Sequence, residues 1–323
     1  MLTRDHPAAV TRLRTSWTRL LLVLSVMGPG LITGNVDNDA NGIATFSVAG
    51  ASFGYRILWT LFLTAFALSV VQEMAARMGA VTGKGLADLI RERFGVRLTL
   101  FAMATLVVAN FANTVGDFAG VAGSLEIFGV SRYVSVPAAG VIVWLLVVKG
   151  SYRSVERVFL GAILVYVTYI ASAVLARPPW GQVLRETLTP SFQATPAYLA
   201  TVIGVVGTTI APWMQFYHQA SVVDKGITAA EYHLAKWDTY VGMVSANLIA
   251  FFIVVACAAT LHVNGIGVAG AKDAALALAP LAGRYASALF AIGLLNAALF
   301  SVAIIPLSTA YAVCEAFGWE AGL

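Results

Sequence analysis

Long apolar stretches alternate with short polar links along the whole chain. The apolar stretches cover positions 20–50, 56–79, 97–125, 133–150, 155–176, 197–223, 237–262 and 282–315. A helix needs roughly 20 apolar residues to cross a bilayer, and each stretch is of that order. The runs are continuous and do not alternate with period two, which argues against a β-barrel. The pattern predicts an all-α polytopic membrane protein of about eight spans. No link looks like a boundary between soluble domains, so positions 1–19 read as a polar tail and 20–323 as a single transmembrane domain. The tail and the apolar run 20–27 resemble a signal peptide. However, the run continues through Gly28-Pro29-Gly30 with no small-x-small cleavage site.

Composition agrees with this pattern. Hydrophobic residues make up 59% of the 323 positions and charged residues 11%, against about 25% charged in soluble proteins. A soluble enzyme, a nucleic-acid binder and a disordered chain are thereby excluded, and the partner that remains is the lipid bilayer. The formal charge of +4 reads as topology. Arg4, Arg12, Arg14, Arg19, Arg77, Lys84, Arg91, Arg93, Arg97, Lys149, Arg153, Arg157, Lys225 and Lys236 fall on one side of the predicted spans. Only Arg56, Arg132, Arg177, Arg185, Lys272 and Arg284 fall on the other. The asymmetry places the N-terminus in the cytoplasm of a plasma-membrane protein. Cys257 and Cys314 lie in apolar stretches and imply no disulfide framework.

The first span contains residues that a lipid-facing helix would not carry. Between Gly34 and Gly42 stand Asn35, Asp37, Asn38, Asp39 and Asn41. Each buried charge costs at least about 2.5–3.5 kcal/mol on insertion scales, and Gly and Asn are poor helix formers. A discontinuous helix follows, with freed carbonyls and carboxylates near mid-membrane. The sixth span repeats the theme with Gly204, Gly207, Thr208 and Thr209 before Ala211-Pro212-Trp213. Pro212 removes a helical hydrogen bond. Interrupted segments at corresponding places in two halves point to a transporter site between inverted repeats, here roughly 20–176 and a partial 197–323.

Asp37 to Gly42 also matches the opening of an EF-hand loop, but the closing Glu position is Val48. The oxygen-rich donor set suits Mg²⁺, Ca²⁺ or Mn²⁺ better than Zn²⁺ or Cu⁺. The bland alternative is a polar kink satisfied by neighbouring helices. Asp117 in the third span reads as functional, and a structural pairing is its alternative. His218 reads as a packed or hydrogen-bonded residue, and Trp213 as a packing or lipid-facing one. Glu73, Glu126 and Glu315 lie near span ends and read as interfacial. An amino-acid permease of the same architecture is disfavoured, because Asp37 and Asp39 would repel a substrate carboxylate. An intramembrane aspartyl protease with Asp39 and Asp117 as its dyad lacks the first glycine of G-x-G-D.

Several motifs together resemble the Nramp family of divalent-metal transporters. They are Gly28-Pro29-Gly30, Asp39-Ala40-Asn41-Gly42, Ala49-Gly50-Ala51 and Gly54-Tyr55 in the first span. Gln72-Glu73-Met74-Ala75-Ala76-Arg77-Met78-Gly79 follows, with Val81-Thr82-Gly83-Lys84. His218 and Val313-Cys314-Glu315-Ala316-Phe317 complete the set. The resemblance implies a LeuT-type inverted-repeat fold with broken helices one and six, alternating access, a divalent cation as substrate, and neither enzyme activity nor cofactor. It implies Asp39 as the principal metal ligand. Asn41 would supply an amide oxygen or hold a bound water, and carbonyls near Val36 and Thr208 would complete the shell. Asp37 would draw cations into the vestibule beside Asn38. This chain also departs from the family. Its Asn position is Gly42, its metal-binding Met is Ala211, its Met-Pro-His histidine is Trp213, and two acidic positions of the third helix are Asn110 and Gly120, with only Asp117 kept of that set. Asp37, Asn38, Asp117, His218, Trp213 and Asn110 are thereby the candidates for a vestibule or proton path. These departures are similar to the Nramp-related magnesium transporters, so Mg²⁺, then Mn²⁺, is the expected substrate, with weak or no proton coupling. The resemblance ends at the eighth helix of a ten-helix core, which implies a truncated sequence.

Overall fold

A computed structural model describes residues 28–149 and 152–319. The tail 1–19, with Arg4, Arg12, Arg14 and Arg19, and the first part of span one lie outside the described residues. Among the described residues the regular structure is entirely helical. The helices are α1 (Pro29–Val36), α2 (Ala40–Phe53), α3 (Leu58–Thr82), α4 (Leu86–Phe94), α5 (Val96–Ile127), α6 (Arg132–Lys149), α7 (Tyr152–Ile163), α8 (Val167–Leu175), α9 (Trp180–Leu188), α10 (Pro196–Thr209), α11 (Pro212–Asp224), α12 (Tyr232–Cys257), α13 (Ala271–Ala282) and α14 (Arg284–Phe317).

Seven helical segments among the described residues are long and apolar enough to cross a membrane. One of them, Ala40–Thr82, runs for 43 residues through α2, a 3-10 turn at Gly54–Ile57 and α3. At 1.5 Å per residue it would measure about 65 Å if straight, twice a hydrocarbon core of about 30 Å. It is two crossings joined at Gly54, whose φ of 61° suits a residue without Cβ. A Cβ there would also stand 2.6 Å from the His262 ring. Among the described residues the crossings thus match the apolar stretches to within a few residues, apart from the start of the first stretch, which lies outside them. Span five is divided between α7 and α8 by a 3-10 turn at Leu164–Tyr166, and span seven ends in a π turn at Ala258–His262.

Three links hold helices that the apolar pattern does not predict: α4, α9 and α13. In α4, Ala87 is buried while Arg93 stays exposed, a period that so short and charged a segment hides. Arg91 donates to the Ala316 carbonyl at 3.1 Å, and the Ala87 N–H donates to Glu315 at 3.2 Å. Glu315, near the end of its span, is turned into the protein rather than toward solvent. It is 7% exposed and caps the start of α4.

Small residues set the packing around the site. A Cβ on Gly242 of α12 would overlap the Gly30 carbonyl of α1, and one on Gly34 would lie 2.6 Å from the Gly242 oxygen. Further along, a Cβ on Gly50 of α2 would lie 2.6 Å from the Val254 oxygen. Both halves of the first span thus rest backbone to backbone on α12, the close approach that membrane helices reach through glycine.

Candidate functional site

The first span breaks where the sequence predicts. α1 ends at Val36, the chain unwinds through Asp37 and Asn38, and Asp39 takes an extended conformation as the N-cap of α2. The Asp39 Oδ1 accepts from the Gly42 N–H at 2.5 Å, and its Oδ2 accepts from Asn113 Nδ2 at 2.7 Å. The carboxylate therefore sits on the positive end of α2, only 4% exposed. The sixth span breaks in the same manner. α10 ends at Thr209, Ile210 and Ala211 are non-helical, and Pro212 opens α11 at a position where its missing N–H costs nothing.

The two breaks meet at Gly42. A Cβ on Gly42 would lie 2.7 Å from the Asp37 carbonyl oxygen, 3.2 Å from Asp39 Oδ1 and 3.5 Å from Thr208 Oγ1. Three oxygens, two from the first break and one from α10, thus pack close against Gly42, where any side chain would collide with the Asp37 carbonyl. Thr209 is 1% exposed with its hydroxyl unpartnered, and Asp37 and Asn38 each leave Oδ1 unpartnered. Val36, Asn38 and Asp37 are all buried, and the Asn38 amide donates to the Ala246 carbonyl at 2.9 Å. Ala211 is half-buried at the second break and offers only its backbone there.

Asp117 belongs to the same constellation. Its Oδ1 accepts from the Ala40 N–H at 3.1 Å and its Oδ2 from Ser301 Oγ at 2.6 Å. α2 therefore starts between two carboxylates, Asp39 at its cap and Asp117 on α5. Neither carboxyl donates to or accepts from the other among the described hydrogen bonds, so the dyad of an aspartyl protease is not assembled. Asn41 lies between Asp39 and α5. Its amide donates to the Asn113 carbonyl and to Asn113 Oδ1 at 3.1 and 3.0 Å, and it also borders the Asp39 carboxylate.

Other expected residues lie outside this cluster. His218 is 1% exposed between α1 and α12, with Nε2 3.0 Å from Thr239 Oγ1 and Nδ1 3.4 Å from Thr33 Oγ1. Trp213 is buried, and its carbonyl accepts from Ser308. Asn110 donates to Thr309 at 2.8 Å. No group of three or more His, Cys, Asp or Glu side chains placed to hold a metal occurs among the described residues. A cation here would depend on carbonyl, hydroxyl and amide oxygens beside the carboxylates.

Sequence reasoning overlooked three residues. Asn113 orients Asp39; it was visible as a carboxamide within a span. Ser301 holds Asp117 and carries no signal in an apolar run. Asp238 lies one residue inside the predicted start of span seven, where it looked interfacial. It is 1% exposed and caps α1, accepting from the Gly30 and Leu31 N–H groups at 2.7 and 3.3 Å.

The fold and sequence have close relatives. A divalent metal cation transporter MntH from Erwinia tasmaniensis is 30% identical over 288 residues, covering 87% of this chain and 70% of that protein. The crystal structure of the Eremococcus coleocola manganese transporter in complex with an aromatic bis-isothiourea substituted compound superposes with a TM-score of 0.75. It is 23% identical and covers 99% of this chain and 68% of that one. A mutant of the same transporter superposes with a TM-score of 0.77, at the same identity, covering 99% and 69%. The family model described as natural resistance-associated macrophage protein-like matches residues 30–323, and the chain belongs to this family, Nramp, whose members are metal transporters and not enzymes.

Proposed function

We propose that this divalent-metal transporter carries Mg²⁺, with Mn²⁺ second, by alternating access around the two helix breaks and with little or no proton coupling. Asp39 is the principal ligand, assisted by carbonyls at Val36, Asp37 and Thr208 and by the Thr208 hydroxyl. Asp37 and Asn38 attract the ion, and Asp117 fixes the start of α2. The observation that carries this reading is the oxygen-lined spot at Gly42, which joins the first break to the second. Ala211 supplies no thioether, so nothing there favours a softer transition metal over a hard ion. Mg²⁺ gives up water reluctantly, so the proposed site must open beyond the close packing at Gly42 to admit a partly hydrated ion. The N-terminus is assigned to the cytoplasm by the distribution of Lys and Arg.

An Nramp-type manganese transporter is the second reading, favoured by the MntH relative and the manganese-transporter structures. Isothermal titration calorimetry on the full chain in nanodiscs separates the two. Mg²⁺ and Mn²⁺ binding should both vanish in Asp39→Ala, and unchanged binding would place the site elsewhere. Flux measured in proteoliposomes with and without a pH gradient then tests coupling. Proton-coupled Mn²⁺ flux with Mg²⁺ excluded would overturn the magnesium reading.

A further inference from the structure

A second site lies apart from the helix breaks, where α5, α6 and α13 meet. Gly129, with φ 84°, turns the chain between α5 and α6. A cavity of about 630 Å³ opens beside this turn. Its walls are apolar, with Phe118 and Ala122 from α5 and Val136 and Pro137 from α6, and Glu126, Arg132 and Lys272 stand at its rim. Glu126 Oε1 lies 2.7 Å from Arg132 Nε, and its other oxygen accepts from Lys272 Nζ. One carboxylate thus faces two cations, and the cluster carries a net positive charge. Arg132 reaches Glu126 through Nε, and its side chain is 64% exposed, so much of the guanidinium faces outward. The Lys272 stem lies over Gly123, where a Cβ would be 3.3 Å from it.

The cavity's surroundings identify the ligand. α5 and α6 present Phe111, Val115, Val134, Val141 and Trp144 outward, all more than half exposed, so their outer faces meet acyl chains. Tyr133, 85% exposed beside Arg132, marks the level of the membrane interface, where aromatic side chains collect. A basic rim above an apolar crevice between spanning helices matches an anionic lipid: phosphate against Arg132 and Lys272, acyl chain along Phe118 and Val136. A free anion would satisfy the rim and leave the crevice without an occupant.

We propose that this cavity binds one anionic phospholipid, whose phosphate competes with Glu126 for Arg132 and Lys272. The ion triad ties α13 to α5 and α6. Lipid in the cavity therefore loosens the tie at Glu126 without touching Asp39 or Asp117.

The test is native mass spectrometry of the full chain released from phosphatidylcholine nanodiscs with or without phosphatidylglycerol. Wild type should retain one phosphatidylglycerol and exchange phosphatidylcholine freely. Arg132→Gln with Lys272→Gln should weaken retention about 30-fold, taking two basic residues at the usual worth of each. That double variant strands Glu126, so the triple variant with Glu126→Gln gives the same reading on an uncharged, unstrained site. Glu126→Gln alone should strengthen retention, because it removes the competitor, whereas a purely structural triad would only lose stability. Equal retention of phosphatidylcholine, unchanged retention in the triple variant, or weaker retention in Glu126→Gln would each overturn the proposal.

Discussion

Asn113→Ala tests whether Asp39 needs its support. Asn41 donates to Asn113 Oδ1 at 3.0 Å, which fixes the amide so that its nitrogen faces Asp39 Oδ2 at 2.7 Å. A hydrogen bond to a charged group is worth about 1.5–3 kcal/mol net. Asp39 is 4% exposed, so solvent does not simply replace the lost donor. If the bond holds the carboxylate in its ligating position, losing it should weaken metal binding about 10- to 100-fold, as loss of a partner behind a metal ligand does elsewhere. Calorimetry of Mn²⁺ and Mg²⁺ on the full chain in nanodiscs reads this directly, with thermal unfolding alongside. Asn41→Ala should give a smaller loss in the same direction. The double variant should lose more than Asn113→Ala, because Asn41 also borders Asp39 directly. Lower thermal stability with an unchanged dissociation constant would refute the argument and reduce Asn113 to packing.

Three further substitutions test other parts of the site. Ala211→Met adds a thioether at the second break and should raise the Mn²⁺ over Mg²⁺ preference by about tenfold in competition calorimetry; an unchanged ratio would remove Ala211 from the site. Asp238→Asn leaves the N–H groups of Gly30 and Leu31 without a charged acceptor. It should cost about 1.5–3 kcal/mol of stability, read as a lower unfolding temperature, and no change would mean that the cap is dispensable. Gly242→Val drives a branched side chain into the Gly30 backbone. It should cost about 1–3 kcal/mol or more, and a variant that melts like wild type would show that α1 does not rest on α12.

The spans and both breaks were legible because lipid enforces them. Uncharged runs of the right length have few structural alternatives, and Asp37, Asp39 and Pro212 stand out against such a background. The amphipathic helices in the links were not legible. α4 and α9 are nine residues each, too short for periodicity to outweigh their charges, and their order comes from tertiary contacts such as Arg91 with Ala316. At the site the chain announced its carboxylates but not what holds them. Ser301 lies 184 positions from Asp117 and Asp238 lies 208 from Gly30. Without coordinates, nothing distinguishes such a serine from any other small residue in a packed helix. Asn41, expected to supply an amide oxygen or hold a bound water, commits its amide nitrogen to Asn113, a contact that the sequence did not announce.

Charge balance is what separates a metal site from a polar kink. Asp37, Asp39 and Asp117 are 5%, 4% and 0% exposed, and among the described residues no Lys, Arg or His forms an ion pair with any of them. A kink satisfied by its neighbours would show those neighbours. Asp117 has them, in Ala40 and Ser301, and so is complete as a structural element. Asp39 is held by donors from Gly42 and Asn113, with Asn41 beside it as a further donor. Asp37 Oδ1 has none, and the oxygens of Asn38 and Thr209 are open as well. Buried acceptors left open cost free energy, and adding a donor would satisfy only one of them. A divalent cation answers several open oxygens and the carboxylate charge at once. The open oxygens of Asp37, Asn38 and Thr209 at the junction of the two breaks therefore support the ion site proposed there.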